Sequence, residues 1–148
     1  EVWPTVQAAR PDATFTLVGM DPSRAVRALS AQPGIRVTGR VPDVRPYLWS
    51  ASVSVAPLLV ARGLQNKVLE ALASGLPCVV TPQVADGLPA EVGGGCRVAG
   101  DPAAFARAVL NLLALPPGQG QAVASKARLE RMSWEERLTP LMEALTHP

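Results

Sequence analysis

One stretch limits the possible folds more than any other: Ser52 to Thr81, SVSVAPLLVARGLQNKVLEALASGLPCVVT. Ser52 to Ala56 is a short apolar, β-branched run, the pattern of a buried strand. Pro57 ends it, and Ala61-Arg62-Gly63 makes a loop. Leu64 to Ser74 carries helical periodicity, with Val68, Leu69, Leu72 and Ala73 as its apolar stripe. Gly75 stands where a left-handed residue closes a helix, and Pro77 blocks continuation. Leu76 to Thr81 is the next strand, apolar almost throughout. The order is strand, loop, helix, strand: one βαβ unit. Strands that lack polar alternation are covered on both faces, which implies a parallel sheet between helical layers.

The chemistry of such a unit sits at its first turn. The loop after a parallel strand reaches a helix N-terminus at the carboxyl end of the sheet, where open α/β sheets bind ligands. Gly63 lets backbone come close to a bound group. The free amides of the first turn, from Leu64 through Gln65 and Asn66 to Lys67, favour an anion. Lys67 itself is placed to contact a phosphate, with a solvated lysine as the plain alternative. Asn66 and Glu70 are one turn apart and share a helical face. A carboxylate one turn inside a phosphate-binding helix suits a vicinal diol, since each oxygen accepts one hydroxyl hydrogen bond. A nucleoside diphosphate presents both groups: phosphates to the amides, ribose hydroxyls to Glu70. On spacing alone, Glu70 reads equally well as a surface carboxylate paired with Lys67 or Arg62.

LEALASGLPCVV, with Glu70 as its acid, resembles the donor-site signature of the family-4, or group 1, glycosyltransferases of the GT-B fold. That signature has a glutamate, seven residues, a second glutamate, then a Leu-Glu-Ala helix ending in Gly-x-Pro. Glu70 matches the second glutamate, and Arg62 occupies the place of the first. The wording ARGLQNKVLEA is most similar to sugar transferases linked to exosortase-type exopolysaccharide loci. The resemblance runs from about Glu1 to about Arg137. It implies that Glu70 binds donor ribose. It also implies that Val41, and less directly Arg40, lies beside the nucleotide base, since Gly39-Arg40-Val41 matches the family's Gly-x-Val. Arg62 cannot accept sugar hydroxyl hydrogen bonds as a glutamate would, but it can hold a phosphate.

Composition narrows the remaining classes. A chain of 148 residues with 48% hydrophobic content is one domain with ample core. The net charge of +2, with scattered basic residues, argues against nucleic acid as a partner. A peripheral contact with a membrane surface stays open. Cys78 and Cys96 fall in strands without metal-ligand spacing and read as buried thiols of a reducing cytosol. The only histidine is His147, so a Ser-His or Cys-His device is implausible and no zinc cluster forms. Neither a cofactor nor a metal is implied beyond the nucleotide sugar itself.

The rest of the chain alternates in the same way. Helices are expected over Glu1 to Arg10, from Asp21-Pro22-Ser23 to Ser30, over Val44 to Ser50 with Asp43 as cap, and from Asp101 to Leu115 with stripe Phe105, Val109, Leu112 and Leu113. A further helix is expected over Gln119 to Arg131, and a last one is capped by Ser133 and Glu136 with Trp134, Leu138, Leu141 and Leu145 on its apolar face, Pro140 interrupting it. Strands are expected over Ala13 to Val18, Ile35 to Thr38 and Cys96 to Ala99. Pro82 to Pro89 is a loop on the same crevice, Ala85-Asp86-Gly87 turning the chain, and Gly93-Gly94-Gly95 is a flexible turn. The expected fold is therefore α/β: a Rossmann-like parallel sheet with helices on both faces, as in the C-terminal half of a GT-B fold, plus C-terminal helices.

The resemblance further implies an upstream strand, a basic loop gripping the diphosphate, and an acceptor-binding N-terminal domain. The sequence thus reads as a donor-binding fragment, cytoplasmic or peripheral to the inner membrane face, inactive alone and open to self-association. Its function by resemblance is retaining transfer of a hexose-type group to a polysaccharide or lipid-linked acceptor. Two alternatives stand beside it: a non-catalytic Rossmann-like binding or oligomerisation module, and a nucleotide-sugar epimerase of GT-B architecture.

Overall fold

The computed structural model describes residues 1–132. The last expected helix, with Ser133, Trp134, Glu136, Leu138, Pro140, Leu141, Leu145 and His147, lies outside the described residues. The elements run α1 (Val2–Ala9), β1 (Phe15–Val18), α2 (Arg24–Ala28), β2 (Ile35–Gly39), α3 (Arg45–Ser50), β3 (Ser54–Ala56), α4 (Asn66–Ala73), β4 (Cys78–Val80), α5 (Pro82–Ala85), α6 (Ala90–Gly93), β5 (Cys96–Val98), α7 (Pro102–Leu113) and α8 (Gln119–Ala124). Short 3₁₀ helices occupy Leu29–Ala31 and Leu129–Met132.

Every strand pair is parallel, and the strands form two sheets, β2-β1 and β3-β4-β5. Among the described residues no strand joins β1 to β3. The core centres on β4, whose three residues are all buried. Side chains alternate across a strand. Cys78 and Val80 therefore face one way, with Ala56 of β3 and Cys96 of β5, against Val68, Ala71 and Leu72 of α4. Val79 faces the other way, against Val6 of α1 and Phe105, Ala106, Val109 and Leu112 of α7. The helical layers on both faces are those the apolar strands require. Each fully buried valine side chain contributes about 1.5–3 kcal/mol.

Several sequence expectations need correction. The helix α4 starts at Asn66, so Leu64 and Gln65 belong to the loop. Its buried stripe includes Ala71, while Ala73 is exposed, because α4 is rotated to put its small residue on the sheet. Residues 82–89 are not all loop: Pro82 opens α5, its fixed φ suiting a first-turn position. The helix expected over Gln119 to Arg131 stops after Ala124. There the chain turns to bond Arg128 N–H to the Glu91 carbonyl. Pro22 precedes α2 instead of entering it, and Ser23 caps that helix by accepting from Val26 N–H. Asp43 lies one residue before the cap position of α3 and accepts from Arg45 N–H instead. In the run Gly93-Gly94-Gly95, expected as a flexible turn, Gly94 and Gly95 are instead packing positions, while Gly93 ends α6. A Cβ on Gly95 would stand 2.5 Å from Leu72 Cδ2, and one on Gly94 would stand 2.6 Å from the Lys126 carbonyl oxygen.

Candidate functional site

The β3 strand ends at Ala56, and Pro57 to Gln65 then lead across its carboxyl end to α4. Three contacts shape this loop. The Thr81 hydroxyl, at the end of β4, donates to the Leu58 carbonyl at 2.6 Å. The Gln65 side-chain amide donates back to the Arg62 and Gly63 carbonyls at 3.2 and 3.3 Å. Gly63 takes φ +62°, a left-handed conformation that glycine adopts without a Cβ penalty. Its carbonyl packs on Gly87, where any Cβ would stand 2.7 Å away.

This folding directs the α4 N-terminus outward. Among the described residues the only backbone bond at the start of the helix that leaves the helix body is Val68 N–H to the Gln65 carbonyl. Among the described residues the amides of Asn66 and Lys67 meet no protein acceptor. No acid lies in the first turn of α4. Arg62 and Lys67 are exposed and meet no ionic partner among the described residues, whose ion pairs are Arg10–Asp12 and Arg45–Asp43. A helix N-terminus carries about half a positive charge, so amides and cations here share one sign. The patch can hold an anion.

Glu70 is exposed, makes no ion pair among the described residues, and shares a helical face with Asn66. The surface-pair alternative with Lys67 or Arg62 is not what the structure contains. Among the described residues no side chain or backbone donor bonds to the Glu70 carboxylate.

Not every expected residue joins this cluster. Arg62, Gly63, Leu64 and Gln65 lie in the loop, and Asn66, Lys67 and Glu70 follow in the first turns of α4. Val41 and Arg40 follow β2, in the other sheet, and no described hydrogen bond or ion pair links them to the α4 loop. Below them the Arg45 guanidinium holds the Asp43 carboxyl under its usual pKa. Sequence reasoning missed Thr81 as a loop anchor. The signal was there: Thr81 is the only polar residue closing an otherwise apolar strand, and it is buried. Gly87 reads as a turn in the sequence, and its close approach to Gly63 follows only from how the two loops pack.

The site is open. Leu59 and Val60 in the loop are 81% and 78% exposed, and Leu64 is also exposed. Two hollows of about 230 Å³ lie elsewhere, one lined by Arg97, Val98, Ala108 and Leu115, the other by Pro22, Arg27, Thr38 and Gly39. Among the described residues no group of His, Cys, Asp or Glu is arranged to hold a metal ion, and no helix is long and apolar enough to cross a membrane.

Solved structures share this fold. WaaG, a glycosyltransferase involved in lipopolysaccharide biosynthesis, matches with TM-score 0.67 at 18% identity over 97% of this chain and 41% of its own. HepE of Anabaena, solved in complex with UDP, matches with TM-score 0.72 at 14% identity over 99% of this chain and 44% of its own. The pneumococcal O-GlcNAc transferase GtfA, solved with UDP and GlcNAc, matches with TM-score 0.60 at 14% identity over 97% of this chain and 31% of its own. The chain thus spans less than half the length of each. No curated protein sequence matches. The model of the family described as glycosyl transferases group 1 matches residues 1–115, well over half of the sequence. The chain belongs to the group 1 glycosyl transferases.

Proposed function

We infer that this chain is the donor-binding part of a retaining glycosyltransferase. Its donor is a nucleoside-diphosphate sugar, and its acceptor is a growing polysaccharide or a lipid-linked sugar on the cytoplasmic side of a membrane. The observation that carries this reading is the pairing of unsatisfied α4 amides with an unpaired carboxylate one turn deeper. The diphosphate sits at the Asn66 and Lys67 amides, with the Lys67 and Arg62 side chains offsetting its charge. As the sugar leaves, negative charge grows on the terminal phosphate, and fixed donors there stabilise it more than they stabilise bound donor. Glu70 accepts the two ribose hydroxyls. Val41 and Arg40 meet the base through backbone groups. Arg62, in the place of the usual acid, works on phosphate instead of on the sugar. UDP is the first nucleotide to try, because HepE and GtfA were solved with it.

The test is calorimetric titration of UDP into the wild type, Glu70→Gln and Glu70→Ala. A hydrogen bond to a charged group is worth about 1.5–3 kcal/mol, so both variants lose about tenfold or more in affinity. Unchanged UDP affinity in both, with circular dichroism also unchanged, removes the ribose assignment. Absence of binding by the wild type to UDP and to GDP removes the donor-site reading altogether.

A further inference from the structure

The chain has two cysteines, and the core brings them together. Cys78 of β4 and Cys96 of β5 are register partners in a parallel ladder, and both are free thiols. Register partners project to one face, and both belong to the cluster packed against Val68, Ala71 and Leu72 of α4. Neighbouring strands stand about 4.8 Å apart, inside the range of Cα separations that a disulfide spans. The Sγ atom of Cys78 also lies 3.9 Å from the Val68 carbonyl, in the first turn of α4, and 3.6 Å from the Leu76 carbonyl.

The two sulfurs sit in different surroundings. Cys78 is 1% exposed and lies on the middle strand of its sheet. Cys96 is 7% exposed and lies on the outer strand, beside the exposed Arg97 and Val98. The Cys78 S–H donates to Cys96, which pushes the Cys78 thiol up, and burial pushes it the same way. That same bond, accepted, holds Cys96 below the ordinary thiol range against the cost of burial, with help from the Arg97 charge. Arg97 Nη1 also donates to the Cys96 carbonyl at 3.5 Å, which keeps the guanidinium close. A sulfur with thiolate character beside a protonated neighbour is how an attacking thiol and a resolving thiol are arranged.

We propose that Cys78 and Cys96 are a redox pair that closes to a disulfide within one chain when a hydroperoxide reaches Cys96. In the first step the Cys96 thiolate attacks a peroxide oxygen. An S–O bond forms, the O–O bond breaks, and hydroxide leaves and takes up a proton. In the second step Cys78 gives up its proton and attacks the Cys96 sulfur. The S–S bond forms, the S–O bond breaks, and the oxygen leaves as water. Two thiols have then lost two electrons, and hydrogen peroxide has become two waters. The Cβ atoms of a disulfide stand about 3.8 Å apart, closer than the strands themselves, so closure pulls β5 toward β4 and strains the ladder. A strained disulfide is readily reduced again by a thiol, which makes the step reversible. Closure also turns the Cys78 sulfur away from the Val68 carbonyl, so the change is felt at the start of α4. This inference stands independently of the donor-binding reading.

The test titrates hydrogen peroxide onto the folded 148-residue chain and onto the same chain in urea, beside Cys78→Ser and Cys96→Ser, with intact mass and peptide mapping as the readout. In the folded wild type both thiols are expected to vanish together. The product lacks two hydrogens, runs as a single chain in non-reducing denaturing electrophoresis, and regains both thiols with dithiothreitol. In Cys78→Ser, Cys96 is expected to stop at a sulfenic acid that dimedone traps. In Cys96→Ser, Cys78 is expected to oxidise at least about tenfold more slowly than Cys96 does in Cys78→Ser. Folded-state thiols that survive a peroxide dose sufficient to oxidise the chain in urea overturn the proposal. So does a sulfinic acid on Cys96 beside an intact Cys78 thiol, and so does a cross-link between copies. Equal rates in the two serine variants also overturn it, since the pair would then have no attacking member.

Discussion

Gly87 and Gly63 act as a pair. The first has no side chain so that the second can lay its carbonyl on it, and the second takes φ +62° to aim the loop at α4. Gly87→Ala forces a Cβ to 2.7 Å from a backbone oxygen that cannot swing aside. Overpacking of this kind costs about 1–3 kcal/mol, read as a lower urea midpoint at unchanged slope. The displaced loop also takes the Asn66 and Lys67 amides with it, so UDP affinity falls alongside stability. A drop in stability with UDP affinity intact would separate the loop from the anion site. On the proposed function Arg62 and Lys67 act by charge, and each substitution to alanine is expected to weaken UDP binding about three- to tenfold and to reduce its salt dependence. The same substitutions should leave uridine binding unchanged, because uridine offers no phosphate. Titrations of UDP and uridine at two salt concentrations check this.

Helix ends give sharper tests than helix bodies, because one side chain there satisfies a named donor. Asp101 accepts from Ala104 N–H at 2.8 Å and starts α7, whose Phe105, Ala106, Val109 and Leu112 are buried. Asp101→Ala is expected to cost about 0.5–2 kcal/mol in chemical denaturation, and Asp101→Asn a few tenths. At α3 the Arg45 guanidinium and backbone amide hold the Asp43 pKa below its ordinary value. A lowered folded pKa adds stability above the unfolded pKa, and that stability is lost as pH falls through the folded value. The stability difference between wild type and Asp43→Asn should therefore be constant near neutral pH and shrink below about pH 4. Denaturation midpoints between neutral and acid pH decide it. The α7 cap was visible in sequence as Asp101-Pro102, as was Gly75, which takes φ +76° at the end of α4, whereas Asp43 falls one residue short of the cap position its sequence suggests. The parallel strands and two helical layers were visible in the unbroken apolar runs. What periodicity could not supply was rotation and close approach. Ala71 and Ala73 are chemically identical, and only the neighbouring sheet decides which is buried. The glycines of Gly93-Gly94-Gly95 look like freedom in one dimension, yet Gly94 and Gly95 prove to be clearance for Lys126 and Leu72. The spacing of Glu70 from the first-turn amides was legible because both belong to α4, whereas the place of Val41 relative to that helix depends on how the two sheets are joined, which periodicity does not give.

Glycosyl transfer asks more of a molecule than donor binding. The leaving diphosphate must be stabilised, an acceptor hydroxyl must stand within reach of the sugar carbon, and water must be kept away from both. On the proposed function, the α4 surface supplies only the first of these. Its loop is open, with Leu59 and Val60 almost wholly exposed beside the anion site, and neither described hollow lies at it. The chain spans less than half of WaaG and HepE. On the proposed function the 148 residues are expected to bind UDP yet transfer no sugar by themselves. A radiolabelled UDP-sugar incubated with them, with lipid-linked acceptor present, reads transfer, and release of free UDP reads hydrolysis. If UDP binds and no transfer follows, the missing terms are positioning and water exclusion, which intramolecular arrangement can raise by about 10⁵ or more. Transfer by these 148 residues at an ordinary enzymatic rate would mean that acceptor and donor are both held on this one surface, and the exposed loop of Leu59 and Val60 would then be the acceptor surface itself.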